Sequence, residues 1–205
     1  MKDDNTISIA KHIRTQIQLM NVGEIFFCES FDVLDKQAIR VVLSRIVKEG
    51  TIVRLGPGIY QVPRYSKILG SIAYPTLNEI ACAIAQNEQS RIKASGSYAL
   101  YKIGLTTQVP TRAVFLTDGS PRRISLVGGR SMLLKKTTAK NLSYKSEIIS
   151  LTVSALKEIG KDSITDEVLS VITQYIKKED KYLFTHDVQL GPEWIGKLLV
   201  ELFYN

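Results

Sequence analysis

Asp35-Lys36-Gln37-Ala38-Ile39-Arg40-Val41-Val42-Leu43-Ser44-Arg45-Ile46-Val47-Lys48-Glu49-Gly50 runs directly into Thr51-Ile52-Val53-Arg54-Leu55-Gly56-Pro57-Gly58-Ile59-Tyr60-Gln61-Val62-Pro63, and the fold turns on how these two segments are read. Ile39, Val42, Leu43, Ile46 and Val47 recur at intervals of three and four, which gathers them on one buried helix face. Lys36, Gln37, Arg40, Ser44, Arg45 and Lys48 then point elsewhere and can donate to phosphates and to bases. Asp35 is placed to accept from the first free amides as an N-cap, and Gly50 can take the left-handed turn that ends a helix. Ile52, Leu55, Ile59, Tyr60 and Val62 supply strand formers around Gly56-Pro57-Gly58, whose glycines permit the backbone angles of a tight turn. Arg54 sits beside that turn.

Working outward, Ile9, Ile13, Ile17 and Met20 lie at helical spacing between Ile7 and Met20, and Asn21-Val22-Gly23 stops that helix. A short strand is expected near Ile25-Phe26-Phe27. A second short helix is expected to start at Ser30 as N-cap, with Phe31 and Leu34 facing inward. Helix, strand, short helix, helix and hairpin is the order of a winged helix-turn-helix. In that architecture the last helix enters the major groove and its N-terminal half meets base edges. Lys36, Gln37 and Arg40 are the candidates for reading, since Arg and Lys suit guanine and Gln suits adenine. Arg45, Lys48 and Arg54 are assigned to phosphate, which positions a protein without conveying sequence. Ser44, Gly56 and Gly58 complete the expected DNA-binding set. A winged helix can equally serve as a protein-protein module, so the pattern alone leaves both readings open.

The 205-residue chain, 44% hydrophobic, is long enough for a substantial core and is expected to form two domains, 1–68 and 69–205. No stretch reaches the roughly 18 consecutive apolar residues of a membrane span, and Met1-Lys2-Asp3-Asp4-Asn5 lacks the apolar core of a secretory signal. A cytoplasmic location is expected. Cys28 and Cys82 do not make a disulfide framework and are read as small buried hydrophobes. Net charge is +7, unevenly spread: residues 1–70 hold 10 Lys and Arg against 7 Asp and Glu, residues 71–141 hold 10 against 3, and residues 142–205 hold 7 against 10. A basic centre suggests a second surface for phosphate backbone or a face for an acidic partner protein.

The centre has its own organisation. Thr76 and Glu79 form a capping box that opens an apolar helix from Ile80 to Ala85. Ser95 to Leu105 reads as a short helix closed by glycine. Arg112–Thr117, Arg122–Val127 and Ser131–Lys136 are strand-like, separated by Asp118-Gly119-Ser120-Pro121 and Gly128-Gly129-Arg130, which predicts an antiparallel meander. Three helices close the chain, near Ser146–Ile159, Thr165–Lys178 and Pro192–Phe203. The expected fold class is α+β: an N-terminal winged helix-turn-helix, then an α+β domain with a small antiparallel sheet and C-terminal helices.

Arg54-Leu55-Gly56-Pro57-Gly58-Ile59-Tyr60, together with Ser95-Gly96-Ser97-Tyr98-Ala99-Leu100, Gly104-Leu105-Thr106-Thr107-Gln108-Val109-Pro110 and Val114-Phe115-Leu116-Thr117-Asp118-Gly119, resembles the AbiEi-like antitoxins. These are transcriptional regulators of type IV toxin-antitoxin and abortive-infection systems. The resemblance covers about Ile7 to Lys136. It implies a repressor of its own operon that binds repeats in its promoter region, upstream of a gene for a nucleotidyltransferase-like toxin that the antitoxin need not touch. It also implies that a basic face of the C-terminal domain assists DNA binding, borne here by Arg112, Arg122, Arg123, Arg130, Lys135 and Lys136, with solvated strand edges as the plain alternative. A homodimer on paired half-sites would suit a small domain that covers few base pairs.

An enzyme reading has one foothold in Gly96-Ser97, the start of a nucleotidyltransferase motif. Such enzymes need nearby paired carboxylates to hold metal ions, yet Asp118, Glu147 and Glu158 are the only acidic residues between 89 and 161. His12 and His186 are the only histidines, so neither a histidine metal cluster nor a triad assembles easily. No phosphate-cradling Gly-x-x-x-x-Gly-Lys occurs, and Gly128-Gly129-Arg130 is ordinary turn chemistry. No catalysis, metal or cofactor is expected. The remaining alternative is an interaction module that neutralises a partner by direct contact.

Overall fold

The computed structural model describes residues 2–205, with side chains in the first helix described from Ile9 onward. Met1, and the Ile7 side chain at which the first helix was expected to begin, lie outside the described residues. The protein is α+β, with eight α-helices and nine strands among the described residues. It forms two compact units, the first running to Asn87 and taking in Ile124–Gly129, the second comprising Glu88–Arg123 and Arg130–Asn205. The expected boundary at 68/69 thus falls inside the first unit, because a helix after it, Leu77–Asn87, packs on that unit's first strand.

The first unit begins with α1 (Lys2–Leu19), β1 (Ile25–Phe27) and a 3-10 turn at Cys28–Ser30. It continues with α2 (Lys36–Lys48), β2 (Val53–Gly56) and β3 (Ile59–Gln61). A small hairpin, β4 (Tyr65–Ser66) and β5 (Ser71–Ile72), precedes α3 (Leu77–Asn87). β3 is the central strand of an antiparallel sheet ordered β1-β3-β2 and is buried throughout. Ile39, Val42, Leu43 and Ile46 of α2 close over this sheet with Ile13 and Ile17 of α1, so the helical spacing of the apolar residues becomes one core. Phe26 stacks on Tyr60 with ring centroids 5.7 Å apart and meets the edge of Phe31 at 5.8 Å. The Asp35 carboxylate accepts from the Gln37 and Ala38 amides at 2.9 Å, and Gly50 takes φ +79° beyond the helix end. Arg14 donates two hydrogen bonds to Glu49 at 2.7 Å, tying α1 to the end of α2.

No helix begins at Ser30. Its hydroxyl accepts from the Phe27 amide at 3.0 Å, which closes the 3-10 turn backwards, and Phe31 then adopts an extended backbone. Phe31 is buried as expected, whereas Leu34 is fully exposed.

The second unit contains β6 (Ile92–Ser95), α4 (Gly96–Lys102), β7 (Arg112–Thr117) and β9 (Ser131–Lys136), while β8 (Arg122–Ser125) begins in it and ends in residues assigned to the first. Four helices follow: α5 (Glu147–Ile159), α6 (Asp166–Ile176), α7 (Lys181–Asp187) and α8 (Glu193–Tyr204). The predicted antiparallel meander is replaced by the order β6-β7-β9-β8. β6 and β7 are antiparallel, but β9 lies parallel to β7. A parallel pair needs a connection of about a dozen residues or more, and the segment 118–130 carrying β8 is long enough to supply it. Asp118-Gly119-Ser120-Pro121 therefore does not join neighbouring strands, whereas Gly128-Gly129-Arg130 does, since β8 and β9 are adjacent. The capping box holds, with Thr76 N–H donating to Glu79 at 2.6 Å and Glu79 N–H to Thr76 Oγ1 at 3.1 Å. Glu79 consequently titrates below the usual carboxylate range. Cys82 is exposed, contrary to expectation, because it falls on the solvent side of α3. The extra helix α7 is capped by Asp180, which accepts from the Tyr182 and Leu183 amides.

Ile149, Val153, Leu156, Ile172, Ile176, Phe184, Ile195 and Leu199 form the core of the C-terminal helices. Tyr144 belongs to this core, yet its buried hydroxyl has no hydrogen-bond partner among the described residues. Burial first, and the charge of Asp187 second, push its ionisation up to about 12. The folded chain therefore keeps a proton that the unfolded chain loses near pH 10, so this stability is intact below pH about 10 and declines as pH rises towards 12. Tyr144→Phe is expected to remove that alkaline decline and to raise stability at pH 7 by up to about 1 kcal/mol. Urea unfolding at pH 7 and pH 11 measures both.

Candidate nucleic-acid interface

The interface is assembled at one end of the first unit's sheet. Register pairs Phe27 with Ile59, and the Cys28 amide donates to the Gly58 carbonyl at 3.4 Å. The turn between β2 and β3 thus rests beside the 3-10 turn that leads to α2. A pocket of about 250 Å³ lies between Cys28 and Glu29 on one side and Lys36, Ile39 and Arg40 on the other, placing the N-terminal half of α2 at the same end.

Lys36, Gln37, Arg40, Ser44, Arg45 and Lys48 are all exposed on α2. At 3.6 residues per turn they share about half of the helix circumference, opposite the buried stripe. Val41, which is outside the expected contact set, is 44% exposed on this face. Its signal was available: it falls outside the three-and-four spacing of the core residues. An exposed aliphatic side chain among cations suits the methyl group of thymine.

Arg54 is exposed on β2, and its Nε donates to the Gly56 carbonyl at 3.2 Å, which aims the guanidinium along the turn. Burial chiefly raises the Cys28 thiol and the Tyr60 hydroxyl, and the positive charges of both Arg40 and Arg54 pull them back. Gly58 has φ +72° and open space where a Cβ would stand, so the backbone there is accessible. Gly56 differs: a Cβ would come within 2.9 Å of the Ser125 carbonyl oxygen. It is a close-packing position within the first unit, where a side chain would meet backbone.

Cys28 is buried and held protonated, while Cys82 is exposed. One thiol is expected to react with a disulfide reagent in the native protein, Cys82→Ser should abolish that reaction, and Cys28 should react only on unfolding. Absorbance of the released thiolate counts them.

The second basic set does not form one cluster. Register places Arg112 opposite Ser131 at one end of the parallel pair, next to Arg130, and Leu116 opposite Lys135 at the other. At about 3.3 Å per residue, Arg112 and Lys135 are separated by about 13 Å on the same sheet face. Lys136 belongs to the opposite face, since side chains alternate along a strand. Lys93, absent from the expected set, joins Lys135 across Leu116. Arg122 is engaged by Glu88 and by the Ser120 carbonyl, while Arg123 is exposed beside it.

Among the described residues, no group of three or more His, Cys, Asp and Glu side chains is arranged to hold a metal ion, and no helix is long and apolar enough to cross a membrane. The chain belongs to a family of unknown function, DUF6088, which it matches over residues 12–183. No curated protein matches it.

Proposed function

We propose that the first unit is a winged helix-turn-helix that binds double-stranded DNA, and that the protein is a sequence-specific transcriptional regulator. One observation carries this reading: an exposed cationic face of α2 whose N-terminal half, Lys36, Gln37 and Arg40, stands beside a tight turn bearing Arg54 and Gly58. In such a geometry the helix reads base edges in the major groove while the turn grips phosphate. Arg45 and Lys48 extend the grip along the helix.

The finer role proposed is that of an autorepressing antitoxin of a type IV toxin-antitoxin system, acting in the cytoplasm on its own promoter region. This part rests on the AbiEi-like blocks quoted above. It links the protein functionally to a nucleotidyltransferase-like toxin and assigns it DNA occupancy in place of catalysis. The exposed Val41 favours a second reading, in which the same helix face docks a partner protein. Binding to the DNA upstream of its own gene, against a shuffled duplex and across a salt series, separates the two. The regulator prefers the upstream duplex and loses affinity steeply with salt. A lack of preference at every salt concentration discards it in favour of the docking module.

A further inference from the structure

Ile39, Val42, Leu43 and Ile46 are the buried residues of α2, and their mean direction around the helix axis points into the core. At about 100° per residue, Gln37 and Lys48 lie about 170° from that direction, and Val41 and Ser44 about 150°. Lys36, Arg40 and Arg45 stand on the flanks, about 70° to 110° away. The outermost line of the helix therefore runs Gln37, Val41, Ser44, Lys48, one residue per turn, and its two middle members are short. Long side chains on the flanks can reach phosphates or bases from the side. Valine cannot, so whatever Val41 touches must lie directly against the helix.

Among the described residues of α2, Val41 is the one apolar side chain that is exposed, at 44%. Local propensity does not account for it, because its β-branch makes valine a weaker helix former than the Lys, Arg and Gln around it. Gln37 and Ser44, its neighbours along the outermost line, are polar, and no acidic residue occurs between Lys36 and Lys48. One aliphatic group framed by four cations offers a protein partner little of the apolar centre that protein interfaces bury. It matches a major groove, where phosphates flank the base edges and the C5-methyl of thymine is an apolar group among hydrogen-bonding atoms.

We propose that Val41 packs on the C5-methyl group of a pyrimidine in the major groove and thereby makes the protein select thymine at that position of its DNA site. This contact deepens the DNA-binding reading given above and rests on it. Valine offers no hydrogen bond to O4 or N4 of a pyrimidine, so the methyl group is the whole of the contact. Thymine and 5-methylcytosine carry that group; uracil and cytosine do not. Ser44 assists by being short, since a longer side chain beside Val41 would hold the helix away from the base edges.

The test uses the full chain and the DNA upstream of its gene, prepared once with thymine and once with uracil at every thymine position. Uracil pairs as thymine does and lacks only the methyl group. The wild-type protein is expected to bind the uracil duplex about 4-fold more weakly, the effect of leaving one methyl-sized group unburied. Val41→Ala should bind the thymine duplex about as weakly as the wild type binds the uracil duplex, and should lose nothing further on uracil. The substitution lies on the solvent side of α2 and favours the helix, and thermal unfolding checks that the variant stays folded. Equal affinity of the wild type for both duplexes overturns the contact. So does a uracil penalty that persists undiminished in Val41→Ala, which would trace it to the shape or stiffness of the DNA. Failure of the wild type to prefer the upstream thymine duplex over a shuffled thymine duplex is a separate result, and it overturns the DNA-binding reading together with this contact.

Discussion

Arg40→Ala is expected to cost the complex with a specific duplex about 1–3 kcal/mol, roughly a 5- to 150-fold loss of affinity, while changing affinity for random duplex far less. Arg40 lies on the exposed face of α2, one helical turn beyond Lys36, and both border the small pocket against the 3-10 turn. Its position is fixed by the residue before it: Ile39 is 1% exposed and anchors the first turn of α2 in the core. A guanidinium held on a rigid helix can meet guanine O6 and N7 together, and this paired geometry gives the discrimination. Arg54→Ala should behave differently. Arg54 stands on a strand edge beside the turn, so its loss should weaken specific and random duplexes alike and lower the slope of log affinity against log salt by about one. Fluorescence anisotropy with both duplexes over a salt series measures the two patterns. Equal losses at Arg40 on both duplexes would remove its assignment to base reading.

The parts of this protein that were legible in its sequence are those whose determinants are local. Asp35 and Gly50 bound α2, Thr76 and Glu79 open α3, Ser146 opens α5 and Thr165 opens α6, each through hydrogen bonds or backbone angles set within a few residues. The exposed cationic face of α2 was legible for the same reason, because a strict buried stripe leaves only one other side. What was not legible depends on partners distant in sequence. The turn signal at Asp118-Gly119 marks where the chain bends but not which strand comes to lie beside β7: β9, the second strand after it, pairs there, and β8 lies outside β9. Gly56 carries the composition of an open turn, and only the carbonyl of Ser125, about 70 residues later, makes it a packing glycine. The second basic set failed as a single cluster because period-two alternation and strand register disperse side chains that are close in sequence. α7 was missed because it is short and its cap, Asp180, sits in a charged run that reads as solvated loop.

Asp187→Leu is expected to destabilise the second unit by about 3–5 kcal/mol, a large share of the roughly 5–15 kcal/mol that holds a typical domain together. The side chain is 0% exposed. One carboxylate oxygen accepts from the Lys145 amide at 3.0 Å, and the other accepts from the Ser146 amide at 2.6 Å. His186 Nδ1 lies 2.7 Å from the first. Ser146 is the N-cap of α5, so the carboxylate sits where the positive end of that helix favours a negative charge, and it ties α7 to the start of α5. Leucine would fill a similar volume but leave two backbone donors, one buried and one part-buried, without acceptors, which is the costly direction of losing a hydrogen bond. Asp187→Asn keeps one acceptor oxygen and turns an amide group towards the second donor, so it should cost about half as much. Trp194 packs against this core and is the sole tryptophan, which makes its fluorescence a direct report of unfolding in denaturant. A loss below about 1 kcal/mol for Asp187→Leu would mean that water reaches the Lys145 and Ser146 amides and that the helices hold their places through Phe184, Ile195 and Leu199 alone.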